Sequence, residues 1–215
     1  MSIPSKNHIR KDLRETLKRK LSSVRTQDLR SRLESTLARV PGLKVLGVFS
    51  PLPDEPDLRP FFQGPLSYLL AFPWMLGEKM EFRVSPYEDL VKQPWKSQDF
   101  PMPSQDSERV VPEVLLIPFL GVNGEGYRLG RGGGYYDRYL AQYRGLRVGV
   151  GFEFQSDCDF EPEPHDQKLH LTVTDVRHHF YELELQETWE RGLPLPCVFP
   201  DSEESQLREK KKRSS

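Results

Sequence analysis

The sequence predicts an α/β fold: a single three-layer domain with a mainly parallel central sheet flanked by helices, preceded by an N-terminal helical segment. Three observations carry this. Val114 to Ile117 is a continuous apolar run of strand length, and it leads into a glycine-rich loop and a helical pattern over Tyr135 to Tyr143, where Tyr136, Leu140 and Tyr143 share a face. Leu146 to Gly151 is the next apolar run, so this stretch reads as a β-loop-α-β unit with parallel strands. Upstream, residues 6–39 place Leu13, Leu17, Leu21 and Val24 on one helical stripe and Leu29, Leu33 and Leu37 on another.

Ser22, Ser23 and Thr26 offer a break and a new N-cap inside that stretch, so one helix or two fit the pattern equally. Lys44 to Phe49 reads as a short strand, followed by a proline-rich turn holding Asp54, Glu55 and Asp57. A short helix over Asp57 to Phe62, a buried strand over Tyr68 to Phe72 and another strand over Met80 to Val84 come next. Residues 85–112 contain five prolines and read as an irregular segment, a site lid or disorder, with Trp95 and Phe100 as candidate stacking partners for a flat ligand. A final strand falls at Leu171 to Thr174, and the segment after His178 alternates and extends the strand pattern. The histidines lack zinc-like spacing and read as surface residues. Residues 1–184 form the expected domain, and 185–215 a flexible tail ending R-E-K-K-K-R-S-S.

Composition narrows the class. In 215 residues with 36% hydrophobic content, no apolar run approaches the length that spans a bilayer, and no apolar segment follows the basic residues near the start as in a secretory signal. Cys158 and Cys197 make no disulfide framework or metal spacing, which suits a reducing cytoplasm. The net charge of -1 conceals segregation: residues 1–39 carry eleven Lys or Arg against four acids, and residues 182–204 one Arg against seven. A basic helix beside a phosphate-binding loop accords with an anionic ligand.

The run Arg128 to Leu140, R-L-G-R-G-G-G-Y-Y-D-R-Y-L, points to that ligand. Gly130, Gly132, Gly133 and Gly134 keep side chains away from the backbone amides and precede a helix, an arrangement that favours phosphate. Arg128 and Arg131 supply forked donors matched to phosphate oxygens. Asp137 is a candidate for a Mg²⁺ bridging nucleotide oxygens. Neither the P-loop pattern nor the dinucleotide pattern fits, since Tyr135 stands where the latter needs its third glycine.

Here the sequence resembles the 5-formyltetrahydrofolate cyclo-ligases, also called 5,10-methenyltetrahydrofolate synthetases. In that family a strand ending in proline precedes G-x-R-L-G-[RYK]-G-x-G-Y-Y-D, and Leu115 to Asp137 reads L-L-I-P-F-L-G-V-N-G-E-G-Y-R-L-G-R-G-G-G-Y-Y-D. A weaker likeness covers residues 5–176. The resemblance implies ATP binding by Arg10, Arg14, Arg128, Leu129, Gly130, Arg131, Gly132, Gly133, Gly134, Tyr135 and Tyr136, with Arg10 in the place of the lysine of the family's K-x-x-L-R. It implies folate binding at Ser50, Glu55, Tyr135 and Tyr136; Ser50 takes the place of a hydrophobic residue, and the family's aromatic near F-P-M-P falls on Gln98. It implies catalytic roles for Arg131, Tyr136 and Asp137, and a Mg²⁺ held by Asp137 and Asp166, the latter in the segment matching E-x-[HN]-D.

The implied reaction is the ATP-dependent cyclisation of 5-formyltetrahydrofolate to 5,10-methenyltetrahydrofolate, with ADP and phosphate released through a phosphorylated formyl (iminophosphate) intermediate. The implied protein is a cytoplasmic monomer whose partners are small molecules, not membrane or nucleic acid. The alternative is a non-catalytic nucleotide- or RNA-binding relative of the same fold, kept open by departures from the family at Arg10, Ser50, Glu113, Asn123 and His170.

Overall fold

The computed structural model describes residues 5–21, 23–95 and 98–197. Two N-terminal helices form, α1 (Lys6–Lys20) and α2 (Ser23–Leu37), so the serine-rich break divides the leucine stripes. There follow β1 (Val45–Gly47), the short α3 (Arg59–Phe62), β2 (Leu69–Leu76) and β3 (Lys79–Val84). Next come β4 (Val91–Trp95), β5 (Gln98–Met102), β6 (Arg109–Val110), β7 (Val114–Pro118), β8 (Gly121–Val122), β9 (Arg128–Leu129) and α4 (Tyr135–Leu140). The rest comprises β10 (Leu146–Val150), β11 (Leu171–Val173), β12 (His178–Phe180) and α5 (Leu183–Glu190).

Eight strands make one sheet in the order β12-β11-β10-β7-β1-β2-β3-β6. The five central strands, β11 to β2, are parallel; β12 at one edge and β3 and β6 at the other are antiparallel. The apolar runs at β7 and β10 are what strands covered on both faces require. Leu46, Leu116 and Val148 face a cluster closed by Leu17 of α1, Leu29 and Leu33 of α2, Phe61 and Phe62 of α3, and Leu185 of α5. Leu115, Ile117 and Phe82 face the opposite cluster, with Leu140 and Tyr143. Helices cover both faces, giving the three layers expected.

Several expectations change. The irregular segment contains a hairpin, β4 with β5, and a short strand, β6, paired to β3. Pro94 and Pro101 fit there because a two-stranded ribbon leaves outward N–H positions that need no partner. The helix after the glycine loop stops at Leu140, where Arg147 Nη2 donates to Leu140 O and Tyr143 O and takes up carbonyls a longer helix would use. The expected tail begins inside α5: Leu185 and Leu195 are buried, and Leu195 N donates to Arg39 O at 2.8 Å. Residues 198–215, with the basic end of that tail, lie outside the described residues. His170 and His178 are not surface groups. His170 Nδ1 accepts from Arg147 N, and burial depresses its pKa to about 3.

Candidate active site

The chain leaves β1 towards β2 through α3 on one face, and leaves β7 towards β10 through α4 on the other. β1 and β7 are neighbours, so their carboxyl ends flank a switch point where an open α/β sheet leaves a crevice. A cleft of about 490 Å³ opens there. Phe49 and Ser50 beyond β1, and Pro118 and Phe119 at the end of β7, form its floor.

The glycine loop enters along the β8–β9 ribbon, whose turn is set by Asn123: its Oδ1 accepts from Glu125 N and Tyr127 N. Gly132 (φ 95°) and Gly134 (φ 65°, the N-cap of α4) take left-handed conformations that side chains resist. The whole run Arg128 to Asp137 lines the cleft, together with Arg10, Ser50, Glu55 and Asp166. Arg14, one helical turn after Arg10, does not line it.

Each charged group is already engaged. Arg131 donates from Nη2 and Nη1 to the two oxygens of Asp54, at 2.5 and 3.2 Å, and from Nε to Glu55 Oε1 at 3.0 Å. Burial pushes the Glu55 carboxyl above its ordinary range, against the pull of Arg131 and of a bond from Leu52 N. Arg128, its side chain 5% exposed, donates to Asp137 Oδ1 at 3.0 Å. Arg10 Nε donates to Gly130 O at 2.9 Å, which ties α1 to the loop backbone. Lys6 Nζ sits 2.7 Å from Asp166 Oδ2 and 3.2 Å from Glu163 Oε1. Burial opposes ionisation of Asp166, but the bonds from Lys6 and Glu163 N outweigh it and hold its pKa below the usual carboxylate range.

Aromatic residues make the apolar wall. Trp95 and Phe100 both line the cleft, 5.6 Å apart, and Trp95 meets Tyr135 edge-on at 5.5 Å. Tyr135 Oη donates to Gly77 O. Tyr136 lies beneath the Arg128 guanidinium, and its buried hydroxyl has no protein partner among the described residues. Burial pushes that phenol well above its ordinary pKa.

Asp137 and Asp166 line the same cleft with side chains 15% and 10% exposed. Their hard carboxylate oxygens suit Mg²⁺, which ordinarily takes one or two carboxylates and completes its shell with water and phosphate. Among the described residues no group of three or more His, Cys, Asp or Glu forms a metal site.

The departures from the family pattern have structural partners. Glu113 Oε2 accepts from Val45 N at 2.7 Å, holding the start of β1 beside β7. Ser50 Oγ donates to Pro101 O, fastening the β4–β5 hairpin over the cleft. The side chain of Gln98 lies outside the described residues. Sequence reasoning missed Lys6, although it stands four residues before Arg10 on the same helix face. It left Asp54 as an ordinary turn acid, because nothing local pairs it with a residue so distant in the chain.

The sequence model described as the 5-formyltetrahydrofolate cyclo-ligase family matches residues 2–175. A 5-formyltetrahydrofolate cyclo-ligase of Mycoplasma pneumoniae is 43% identical over 65 residues, 29% of this chain but only 39% of that protein's length. The mouse cyclo-ligase is 23% identical over 192 residues, covering 79% of this chain and 95% of its own. The solved structure of a 5,10-methenyltetrahydrofolate synthetase from Mycoplasma pneumoniae superposes with a TM-score of 0.64 at 25% identity, over 80% of this chain and 99% of that one. That of Aquifex aeolicus gives 0.68 at 27%, over 82% and 93%. Superposition and sequence match agree, and the chain belongs to the 5-formyltetrahydrofolate cyclo-ligase family.

Proposed function

We propose that the protein catalyses the ATP-dependent cyclisation of 5-formyltetrahydrofolate to 5,10-methenyltetrahydrofolate, releasing ADP and phosphate. The supporting observation is that the phosphate-type loop Gly130–Gly134, the Glu55–Arg131 pair and the aromatic wall of Trp95 and Phe100 open onto one cleft. A formamide oxygen is a poor leaving group. In this reading the formyl oxygen attacks the γ-phosphoryl group, giving an iminophosphate; N10 then adds to the activated carbon, and phosphate and the N10 proton depart.

The protein's work is positioning and charge neutralisation. Loop amides, Arg10 and Arg131 face the phosphates, and the aromatic wall holds the pterin with Tyr135 and Tyr136. Glu55, its pKa raised by burial, faces the folate as a hydrogen-bonding group. Asp137 and Asp166 would hold Mg²⁺, which when bound spreads the charge of the transferring phosphoryl group. Arg14 is not among the residues that line the cleft, and this scheme gives it no direct contact. We also propose a cytoplasmic monomer, in keeping with the unpaired Cys158 and Cys197. No helix among the described residues is long and apolar enough to cross a membrane.

Purified protein given 5-formyltetrahydrofolate and MgATP should develop the ultraviolet absorbance of the methenyl product, dependent on both substrates. Failure with ATP, with other nucleotides and with polyglutamylated folate would sink this reading.

A further inference from the structure

Among the described residues Lys6 and three arginines line the cleft, and each arginine is held in a fixed position by its bonds. Arg131 has three bonds to Asp54 and Glu55, Arg128 is buried against Asp137, and Arg10 is bonded to the backbone of Gly130 and to Asn7 Oδ1. Lys6 differs. It stands in the first turn of α1, its side chain is 16% exposed, and its ammonium bridges Asp166 and Glu163. An ammonium on a four-carbon stem is a compact charge with three rotatable donors, able to change partners without backbone movement. Its main partner, Asp166, is one of the two carboxylates the proposed metal site needs.

We propose that Lys6 is a nucleotide-phosphate ligand that occupies Asp166 in the unliganded protein and exchanges it for a phosphate oxygen when a divalent cation takes the carboxylate. The inference rests on the nucleotide-binding reading of the cleft. With nucleotide but no cation, Lys6 is the positive charge shared between Asp166 and the phosphates. With the cation present, the carboxylate no longer needs the ammonium, and Lys6 is left to the phosphate.

Removing the ammonium should therefore move two affinities in opposite directions. Lys6→Met keeps the stem and deletes the charge. By titration calorimetry in EDTA, its affinity for ADP should fall roughly tenfold, the scale of one charge-assisted hydrogen bond. The affinity of its ADP complex for Mn²⁺, read by loss of the free-ion paramagnetic resonance signal, should rise about fivefold, because a competing cation has gone. Asp166→Asn should give the reverse pattern, ADP binding tighter in EDTA and Mn²⁺ binding weaker, and it carries the test if Lys6→Met does not fold. Shifts that do not oppose each other in this way, or no shift in either affinity, overturn the exchange and leave Lys6 a structural clasp between α1 and the loop before β11. Absence of ADP binding by the wild-type protein overturns the nucleotide reading itself, and this inference with it.

Discussion

Arg128 Nη2 donates to Asp137 Oδ1 at 3.0 Å from a side chain only 5% exposed, so the proposed metal carboxylate also neutralises a buried guanidinium. Substitution there has two separable effects. Asp137→Asn keeps an acceptor for Arg128 and should cost about 1 kcal/mol of stability, whereas Asp137→Ala leaves the cation unpaired and should cost about 3 kcal/mol. Both should lower kcat by a similar large factor, since neither supplies a charge to a metal. Urea melts beside steady-state kinetics check this; parallel losses of stability and kcat across the two variants would make the role of Asp137 structural alone.

Tyr136 buries a hydroxyl without a protein partner among the described residues, a cost of about 1–3 kcal/mol that a ligand contact would relieve. Tyr136→Phe should leave the melting temperature unchanged or higher and yet reduce kcat/KM for the folate substrate. A variant both less stable and fully active would show that the hydroxyl serves the fold.

Arg131 offsets two carboxylates, one of them the buried Glu55, whose pKa is already raised above its ordinary 4.5. Such a group binds its proton more tightly when folded. Its contribution to stability is present in full below the unfolded value and is lost as pH rises through the folded one. Arg131→Ala should raise the folded pKa further and be destabilised at neutral pH by about 2 kcal/mol, with the gap to wild type narrowing as pH falls towards 4.5. Urea titrations across that range measure the gap.

His178 lies among α2, β12 and α5, with its ring 4.4 Å from Trp189. Thr36 Oγ1 donates to Arg32 O, so at 2.8 Å it accepts from His178 Nε2, which fixes the neutral tautomer. Burial depresses the pKa of His178 to about 4 and that of His170 to about 3, both from 6.5. The unfolded chain binds more protons between those values, so stability is present above pH 6.5 and lost as pH falls towards 4. His178→Asn should reduce that acid loss by about 1–2 kcal/mol, allowing for partial exposure. Equal pH slopes in variant and wild type would exclude the histidine as the source.

Much of this was legible because the informative signals are local. The apolar runs of β7 and β10, the leucine stripes of α1 and α2 and the glycine block each fit within one window of sequence. The β4–β5 hairpin was not legible, because Pro94 and Pro101 are turn signals in sequence and harmless in an isolated ribbon. The docking of α5 depends on Arg39, whose guanidinium lies 3.9 Å over Trp189 and bonds the carbonyl of Leu193, a contact across 154 positions that no window contains. Within the cleft the residues were found but their pairings were not. Arg131 with Asp54, and Lys6 with Asp166, join segments far apart in the chain.

The sheet order has a consequence for the growing chain. Synthesis produces β1, β2 and β3 as neighbours; β7 then docks on the open side of β1, and β10, β11 and β12 add outward in the order they are made. The scaffold can thus condense progressively during elongation. Lys6, however, precedes every strand of the scaffold in the chain, and it waits 160 positions for Asp166. A ribosome-bound intermediate halted before Glu163 is expected to be compact and protease-resistant around β1 and β7 while lacking the clasp across the cleft, so translation assembles the scaffold early and closes the reaction chamber late.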